Sequence, residues 1–353
     1  MSFAAFAKAA DRDTTGAGEN KDGKFVAVFW NLENYFDYTD GGQSESDKEF
    51  SSFGRRHWTK KKFEAKSAKI AKGIFYLADK YGQLPDVIGL AEVENGKVLY
   101  KLLHDTNLRK TDYRFVHFDS HDRRGIDVAL LYRGSKFRLL GAEAVTPLTE
   151  DGDTIFTRDI LYAVMEEIGA EKASGTRRWD ILVNHHPSKF GGVKESGKKR
   201  REVMMCMCEI CERVLAGRSC RKGLPGNGAV TGSDGEISTG PVRIIAMGDF
   251  NDTPDGEQFA LVGDILANKA ADLHERGEGT IRYEGKWELI DMFFVSRGLA
   301  ECTRMEVCRI PFLMERDKRH AGDKPKRTYS GPRYNGGVSD HLPIVLTVCE
   351  TSL

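Results

Sequence analysis

Six short apolar runs, far apart in the chain, are each bounded by a residue able to bind a metal ion or a phosphate. Asn31 follows Val-Phe-Trp, Glu92 follows Ile-Gly-Leu-Ala, and His185 follows Leu-Val-Asn. Asp249 and Asn251 follow Ile-Ile-Ala-Met-Gly, Asp291 follows Glu-Leu-Ile, and Asp340 and His341 stand just before Leu-Pro-Ile-Val-Leu. The runs are rich in β-branched and aromatic residues and too short for most helices, so they read as buried strands. A carboxylate at the end of a buried strand is costly unless it is paired or bound to a cation. One such residue is an ordinary turn former. Six of them constrain the fold, because they call for strands whose ends converge.

The remaining pattern supplies those strands and little else. Strands are expected at 24–30, 86–91, 115–118, 127–132, 160–165, 181–184, 244–247, 290–295 and 344–348. Phe63, Ile70, Ile74 and Leu77 recur at helical spacing over 61–81, with Ser67 filling the gap, and further helices are expected near 98–104 and 202–215. Lys62, Lys66, Lys69 and Lys72 read as the solvated face of the first helix. Residues 1–23 are small, polar and charged and read as a disordered tail. Residues 24–353 contain no linker and read as one α/β domain, interrupted by a Gly- and Ser-rich loop over 217–241. With 40% hydrophobic residues, a chain of 353 residues can bury a core of that size.

Carboxylates, amides and imidazoles together are what phosphoryl hydrolysis requires. Hard oxygen ligands suit Mg²⁺, Mn²⁺ or Ca²⁺, a base orients water, and donors hold the oxyanion. The motifs Trp30-Asn31-Leu-Glu33-Asn34, Gly89-Leu-Ala-Glu92-Val-Glu94-Asn95, Asn184-His185-His186-Pro187-Ser188, Gly248-Asp249-Phe250-Asn251-Asp252 and Ser339-Asp340-His341-Leu342-Pro343 occur in one order. Together they resemble the endonuclease/exonuclease/phosphatase superfamily, over roughly residues 25 to 348. Arg124–Tyr132 and Gly336–His341 look like a bacterial, endonuclease-like branch of it. The resemblance implies a DNase I-like four-layer α/β sandwich, two mixed β-sheets flanked by helices, with the site at one rim.

The resemblance also implies roles. Glu92 matches the principal metal ligand, and Asn31 an asparagine near metal and phosphate. Asp249 matches the carboxylate that orients or deprotonates the attacking water, and Asn251 a residue holding a phosphate oxygen. His341 matches the stabiliser of charge on phosphorus, and Asp291 the acid that orients it. Asp340 matches a second or alternative metal position, and His185 an additional histidine of some branches. Glu33 would share the strand face of Asn31 and join the metal, or else be a surface residue. His186 should point to the other side from His185. Arg124 and Asp127 would reach the substrate or form a structural ion pair. Arg158 resembles an arginine held near the site in other relatives.

Substrate is less constrained than chemistry. Lys60–Lys62, Arg123-Arg124, Lys198–Arg201 and Lys324–Arg327 could line a groove for a phosphate backbone or be solvated faces, and Tyr329 or Tyr334 could pack on a base or sugar. The leading expectation is a nuclease acting on DNA or RNA. A phosphodiesterase or phosphatase acting on lipid headgroups, inositol phosphates or small nucleotides is the enzymatic alternative, and an inactive binding module the non-enzymatic one. Basic and acidic residues balance at 53 each, which argues against a protein that coats polyanions all over. No apolar run is long enough to span a bilayer, and no protein partner is implied. Seven cysteines form no disulfide framework, which fits a cytoplasmic setting; a signal removed before Met1 would make it secreted or periplasmic. Cys206, Cys208 and Cys211 lie in a stretch where Val203, Met207, Ile210 and Val214 keep helical spacing, and they read as core or helix-surface thiols, with a zinc cluster as the alternative.

Overall fold

The computed structural model describes residues 24–39, 45–169, 177–189, 192–217 and 242–349. The expected tail over 1–23 and all of the Gly-rich loop but Gly217 lie outside the described residues. The first strands are β1 (Lys24–Tyr35), β2 (Val87–Val93), β3 (Tyr113–His117), β4 (Asp127–Arg133), β5 (Phe137–Val145) and β6 (Ile160–Glu167). They are followed by β7 (Arg178–His185), β8 (Ile244–Asp249), β9 (Leu266–Asn268), β10 (Ile281–Tyr283), β11 (Lys286–Glu288) and β12 (Asp291–Ser296). The last are β13 (Thr303–Val307), β14 (Met314–Arg316), β15 (Asp323–Pro325), β16 (Tyr329–Ser330), β17 (Arg333–Tyr334) and β18 (Ile344–Cys349). The helices are α1 (Lys60–Tyr81), α2 (Gly96–Asp105), α3 (Val193–Leu215) and α4 (Ala271–Glu275).

Two six-stranded sheets carry the fold, in the orders β13-β18-β1-β2-β4-β3 and β5-β6-β7-β8-β12-β9. Both are mixed: β1 runs parallel to β2 and β7 parallel to β8, and the other neighbours are antiparallel. Alternation along β1 shows the layering. Phe25, Ala27 and Phe29 face the second sheet, while Val26, Val28, Trp30 and Leu32 pack with Phe63, Ile70, Ile74 and Leu77 of α1. On the far side Val203, Met207, Ile210 and Val214 of α3 cover the second sheet. The result is the expected four-layer sandwich. Gly89 sets the spacing of its middle, since a Cβ there would stand 2.6 Å from the Met247 sulfur on the opposite sheet.

The expected strands are all present, most a residue or more longer than the apolar runs. β5 is not among them. Of its nine residues only Phe137 is fully buried; Leu139, Leu140, Ala142 and Val145 pack half-buried against the core, as suits an edge strand without a strict alternation. Cys208 and Cys211 are buried on α3 and Cys206 is half-buried, in keeping with the core reading of these thiols. No helix among the described residues is long and apolar enough to cross a membrane.

Candidate active site

The polar boundary residues meet at one rim, at the last residues of β7 and β8, the first of β12, and the last regular pairing of β1 with β2. Register brings them together: Asn31 lies opposite Ala91, His185 opposite Asp249, and Asp249 opposite Asp291. Close approach of β7 and β8 depends on Gly248, where a Cβ would stand 2.5 Å from the Asn184 carbonyl oxygen. Past these points the strands lose regularity. Register shifts fall between Asn31 and Tyr35 on β1 and between Ala91 and Val93 on β2. Glu33, Asn34, Glu92 and Asn251 all adopt left-handed backbone, with φ of 48°, 54°, 58° and 50°. Non-glycine residues pay about 1–3 kcal/mol for such conformations, and four at one rim mark a place where aim is worth strain.

Asp249 is the centre of the first half of the site. Its Oδ2 accepts from Asn31 Nδ2 at 3.0 Å and lies 3.6 Å from His185 Nε2 and 3.8 Å from His341 Nε2. Its Oδ1 accepts the Asn251 N–H at 2.9 Å. His341 is fixed on its other side by Asp291, Oδ2 to Nδ1 at 2.8 Å, and its own N–H donates to Ser339 Oγ. Burial, reinforced by Asp291, pushes Asp249 up to about 7 despite the opposing pull of His341. Burial works against the His341 imidazolium, yet Asp291 and Asp249 outweigh it and hold its pKa well above the ordinary value. His185 goes the other way, held neutral by burial and by Arg158 and Arg124.

The second half is a charged ring joined to the first through Asn31. Asn31 Oδ1 accepts the Glu33 N–H at 2.9 Å; Glu33 pairs with Arg327 Nε at 2.8 Å, and Arg327 Nη2 with Asp340 at 3.0 Å. Asp340 Oδ1 closes the ring 4.0 Å from His341 Nε2. Glu92 accepts the Asn34 N–H at 2.7 Å and is mostly buried. Lys66 is 1% exposed; its ammonium donates to the Glu33 carbonyl and, at 2.8 Å, to Thr328 Oγ1. Burial lowers Lys66 to about 8 against the pull of Glu33, Glu92 and Asp340, and burial with Asp340 raises Glu33 to about 7. Three carboxylates thus crowd within electrostatic reach of Lys66 and Arg327. An all-oxygen set of this charge fits a hard divalent cation. Asp249, Asp291 and His341 also bring one ligand atom each within 4.8 Å of one another. His341 and Asp291 there already satisfy each other, so this trio fits proton transfer better than ligation.

Several expectations are corrected. Glu33 does not share the face of Asn31: its left-handed backbone turns the carboxylate to Arg327 and the Thr328 N–H, while Asn31 faces Asp249. Lys66 is no part of a solvated face. It lies three residues after Phe63 and four before Ile70, on the apolar stripe itself, and that spacing was the available signal. Tyr329 is buried among Phe50, Trp58 and Tyr334 and donates to the Arg56 carbonyl, which leaves no face for a base. Arg158 is buried too, its guanidinium spent on the His185 and His186 carbonyls and on Asp122, so it positions the histidine strand rather than meeting substrate. Asp127 accepts the Ser120 N–H and faces His117, outside the ring. Arg124 does reach the site, half-exposed and 4.0 Å from Glu92. His186 turns away from Asp249 to pack against Phe250, and burial, with Arg158 and Arg200, lowers it to about 3. Asp252 accepts the Thr253 N–H and pairs with Lys189 and Arg200.

Comparison with known proteins agrees with this architecture. Solved structures covering 92% of this chain include the human Nocturnin catalytic domain with bound sulfate, 15% identical over 92% of that chain at a TM-score of 0.53. Truncated Caenorhabditis elegans TDP2 is 14% identical over 98% of its chain at 0.51. A Bacteroides thetaiotaomicron mannosyl-6-phosphatase is 16% identical, covering 91% of this chain and 98% of its own, at 0.50. At such identities the likeness is one of fold. No curated protein matches the chain by sequence. The model of the Endonuclease/Exonuclease/phosphatase family matches residues 26–219 and 237–350, and the chain belongs to that family.

Proposed function

We propose that the chain is a divalent-metal-dependent phosphodiesterase acting on nucleic acid. The observation that carries the chemistry is the position of Asp249, buried between Asn31, His185 and the Asp291–His341 pair. A carboxylate pushed to about 7 is matched to taking a proton near neutral pH. Asp249 orients a water and accepts its proton as the water oxygen bonds to phosphorus and the ester P–O bond breaks, and the departing alkoxide takes up a proton from solvent to leave as the alcohol. His341, held as imidazolium by Asp291, donates to a non-bridging oxygen as negative charge builds there. The half-buried Asn251 stands beside Asp249 to hold a second phosphate oxygen, its own amide anchored at 2.9 Å to the His186 carbonyl. His185, held neutral, stands beside Asp249 on the neighbouring strand β7, its Nε2 3.6 Å from the carboxylate.

Glu92, Asn31, Asp340 and Glu33 are the residues that would hold Mg²⁺ or Mn²⁺, and the ion when bound supplies charge neutralisation at the phosphate. Nucleic acid is favoured over lipid or sugar phosphates by Arg124, 4.0 Å from Glu92, and its exposed neighbour Arg123, which together suit a continuing phosphate backbone.

The test is a panel assay of the full chain with Mg²⁺, Mn²⁺ or Ca²⁺ against plasmid DNA, single-stranded DNA, RNA, sphingomyelin, inositol phosphates and a sugar phosphate. Nucleic acid cleavage abolished by Asp249→Asn is expected. Turnover of a lipid or sugar phosphate alone would overturn the substrate while leaving the mechanism, and near wild-type turnover by Asp249→Asn would overturn the mechanism.

A further inference from the structure

We infer that the chain holds a second cation site, for a zinc-class divalent ion, between the end of β3 and the start of β4, with His117, Asp127 and Asp119 as ligands. One ligand atom from each lies within 4.8 Å of the other two. The imidazole of His117 is 6% exposed, yet its Nε2 has no hydrogen-bond partner. Buried polar atoms are rarely left so, and each exception asks for an explanation. Facing it is Asp127 Oδ2, also buried, at 3.5 Å and outside hydrogen-bond geometry; the other oxygen of Asp127 is occupied by the Ser120 N–H. Two ligands held about 2.1 Å from one tetrahedral ion stand about 3.4 Å apart. The His117–Asp127 separation is that spacing without the ion. Asp119 Oδ1 lies 3.9 Å from Nδ1, the other nitrogen of the ring, and its side chain is 87% exposed, so it is the ligand that swings round to the Nε2 side to complete the set. Asp159 adds a third acid, its Oδ1 unpartnered and its side chain lining the small cavity that Asp127 and Ser120 also line.

Imidazole with two carboxylates selects Zn²⁺ or Co²⁺ over Mg²⁺, which distinguishes this site from the oxygen-rich ring. Its place gives it a consequence. Residues 118–126 join β3 to β4 and carry Asp122 and Arg124, and Asp122 pairs with the Arg158 that holds the His185 strand. An ion at His117 fastens both ends of that loop and so steadies Arg124 beside Glu92.

The experiment is equilibrium dialysis of the full chain against Zn²⁺, with bound metal counted per protein. Co²⁺ absorption in the visible serves as a second readout, because tetrahedral imidazole–carboxylate ligation colours it. The expected result is that His117→Gln loses one equivalent of Zn²⁺ that Glu92→Gln retains, and loses the Co²⁺ band. Asp119→Asn, a change at an exposed side chain that leaves folding intact, should weaken that equivalent by at least about tenfold. Wild-type stoichiometry in His117→Gln, or wild-type Zn²⁺ affinity in Asp119→Asn, overturns the site. Should His117→Gln not fold, the Asp119→Asn affinity decides alone.

Discussion

Lys66→Met separates the cost of the charged ring from its use. Methionine matches the length of the lysine stem but removes the charge that faces Glu33, Glu92 and Asp340. Removing one partner of a buried charge set leaves the others uncompensated, at roughly 3–5 kcal/mol. An unfolding entropy of about 2.1 cal/mol/K per residue gives roughly 0.74 kcal/mol/K for 353 residues, so the expected fall in Tm in EDTA is about 4–7 °C. A divalent ion restores the missing charge. At a hundredfold excess over Kd it contributes about 2.7 kcal/mol to any folded state it binds, or roughly 4 °C here. In the variant it no longer competes with an ammonium, so its Kd falls and its stabilisation at fixed Mg²⁺ or Mn²⁺ exceeds that of the wild type. The assay is thermal unfolding of both proteins in EDTA and across a metal titration. A variant that melts with the wild type in EDTA, or gains less than the wild type from metal, refutes the arrangement.

Other perturbations probe separate parts of the rim. Glu92→Gln should raise the metal concentration needed for half-maximal activity before it lowers the maximum; an unchanged titration would remove Glu92 from the metal. His186 has a pKa of about 3 folded against 6.5 unfolded, so between those values the unfolded chain binds the extra proton. Stability is therefore full above about 6.5 and lost as pH falls, by about 1.4 kcal/mol per unit for this group. His186→Phe should remove that slope from denaturant titrations between pH 6.5 and 4.5, since the bonds from Arg158 and Asn251 go to its backbone carbonyl. An undiminished slope would mean that the histidine is solvated. Gly248→Ala should lose stability and activity together, because the added methyl pushes β7 from β8 and His185 from Asp249; activity lost with Tm unchanged would contradict this.

Much of the site was legible because its residues terminate apolar runs. His185, Asp249 and Asp291 stand at strand ends and Asn31 at the last regular pairing of β1, and neighbouring strands of a sheet end together, so order along the chain already implied convergence. Three kinds of feature escaped. Glu33 was assigned by strand alternation, which fails once a left-handed residue enters the strand. Lys66 was assigned by residue type, although its position on the apolar stripe of α1 contradicted that assignment. Tyr329 was assigned by proximity in sequence to a motif, and Arg158 by resemblance to an arginine of other relatives. Whether a side chain near a motif faces solvent or core depends on contacts hundreds of residues away, such as Tyr329 with Arg56, and no local period encodes them.

The residues best placed for chemistry are also those that should weigh most on stability. Asp249 is 2% exposed, and the rise of its pKa from 3.8 to about 7 means that its carboxylate is disfavoured in the fold relative to the unfolded chain. The sign follows: a raised acid costs nothing below about pH 3.8, and the cost grows until pH passes about 7, reaching roughly 4 kcal/mol. Asparagine escapes that cost. It keeps one acceptor and gives up the other, worth about 1 kcal/mol, to Asn31 Nδ2 or to the Asn251 N–H. The balance favours Asp249→Asn by about 3 kcal/mol at pH 8 without metal, or roughly 4 °C in Tm. At pH 4 the two proteins should converge, because the aspartate is then protonated in the fold. A variant no more stable than the wild type at pH 8 in EDTA would show that the carboxylate is solvated, and with that the reason for its basicity near neutral pH would fall. Stabilisation coupled to lost turnover would instead identify Asp249 as a group held against its solvation for the sake of the reaction.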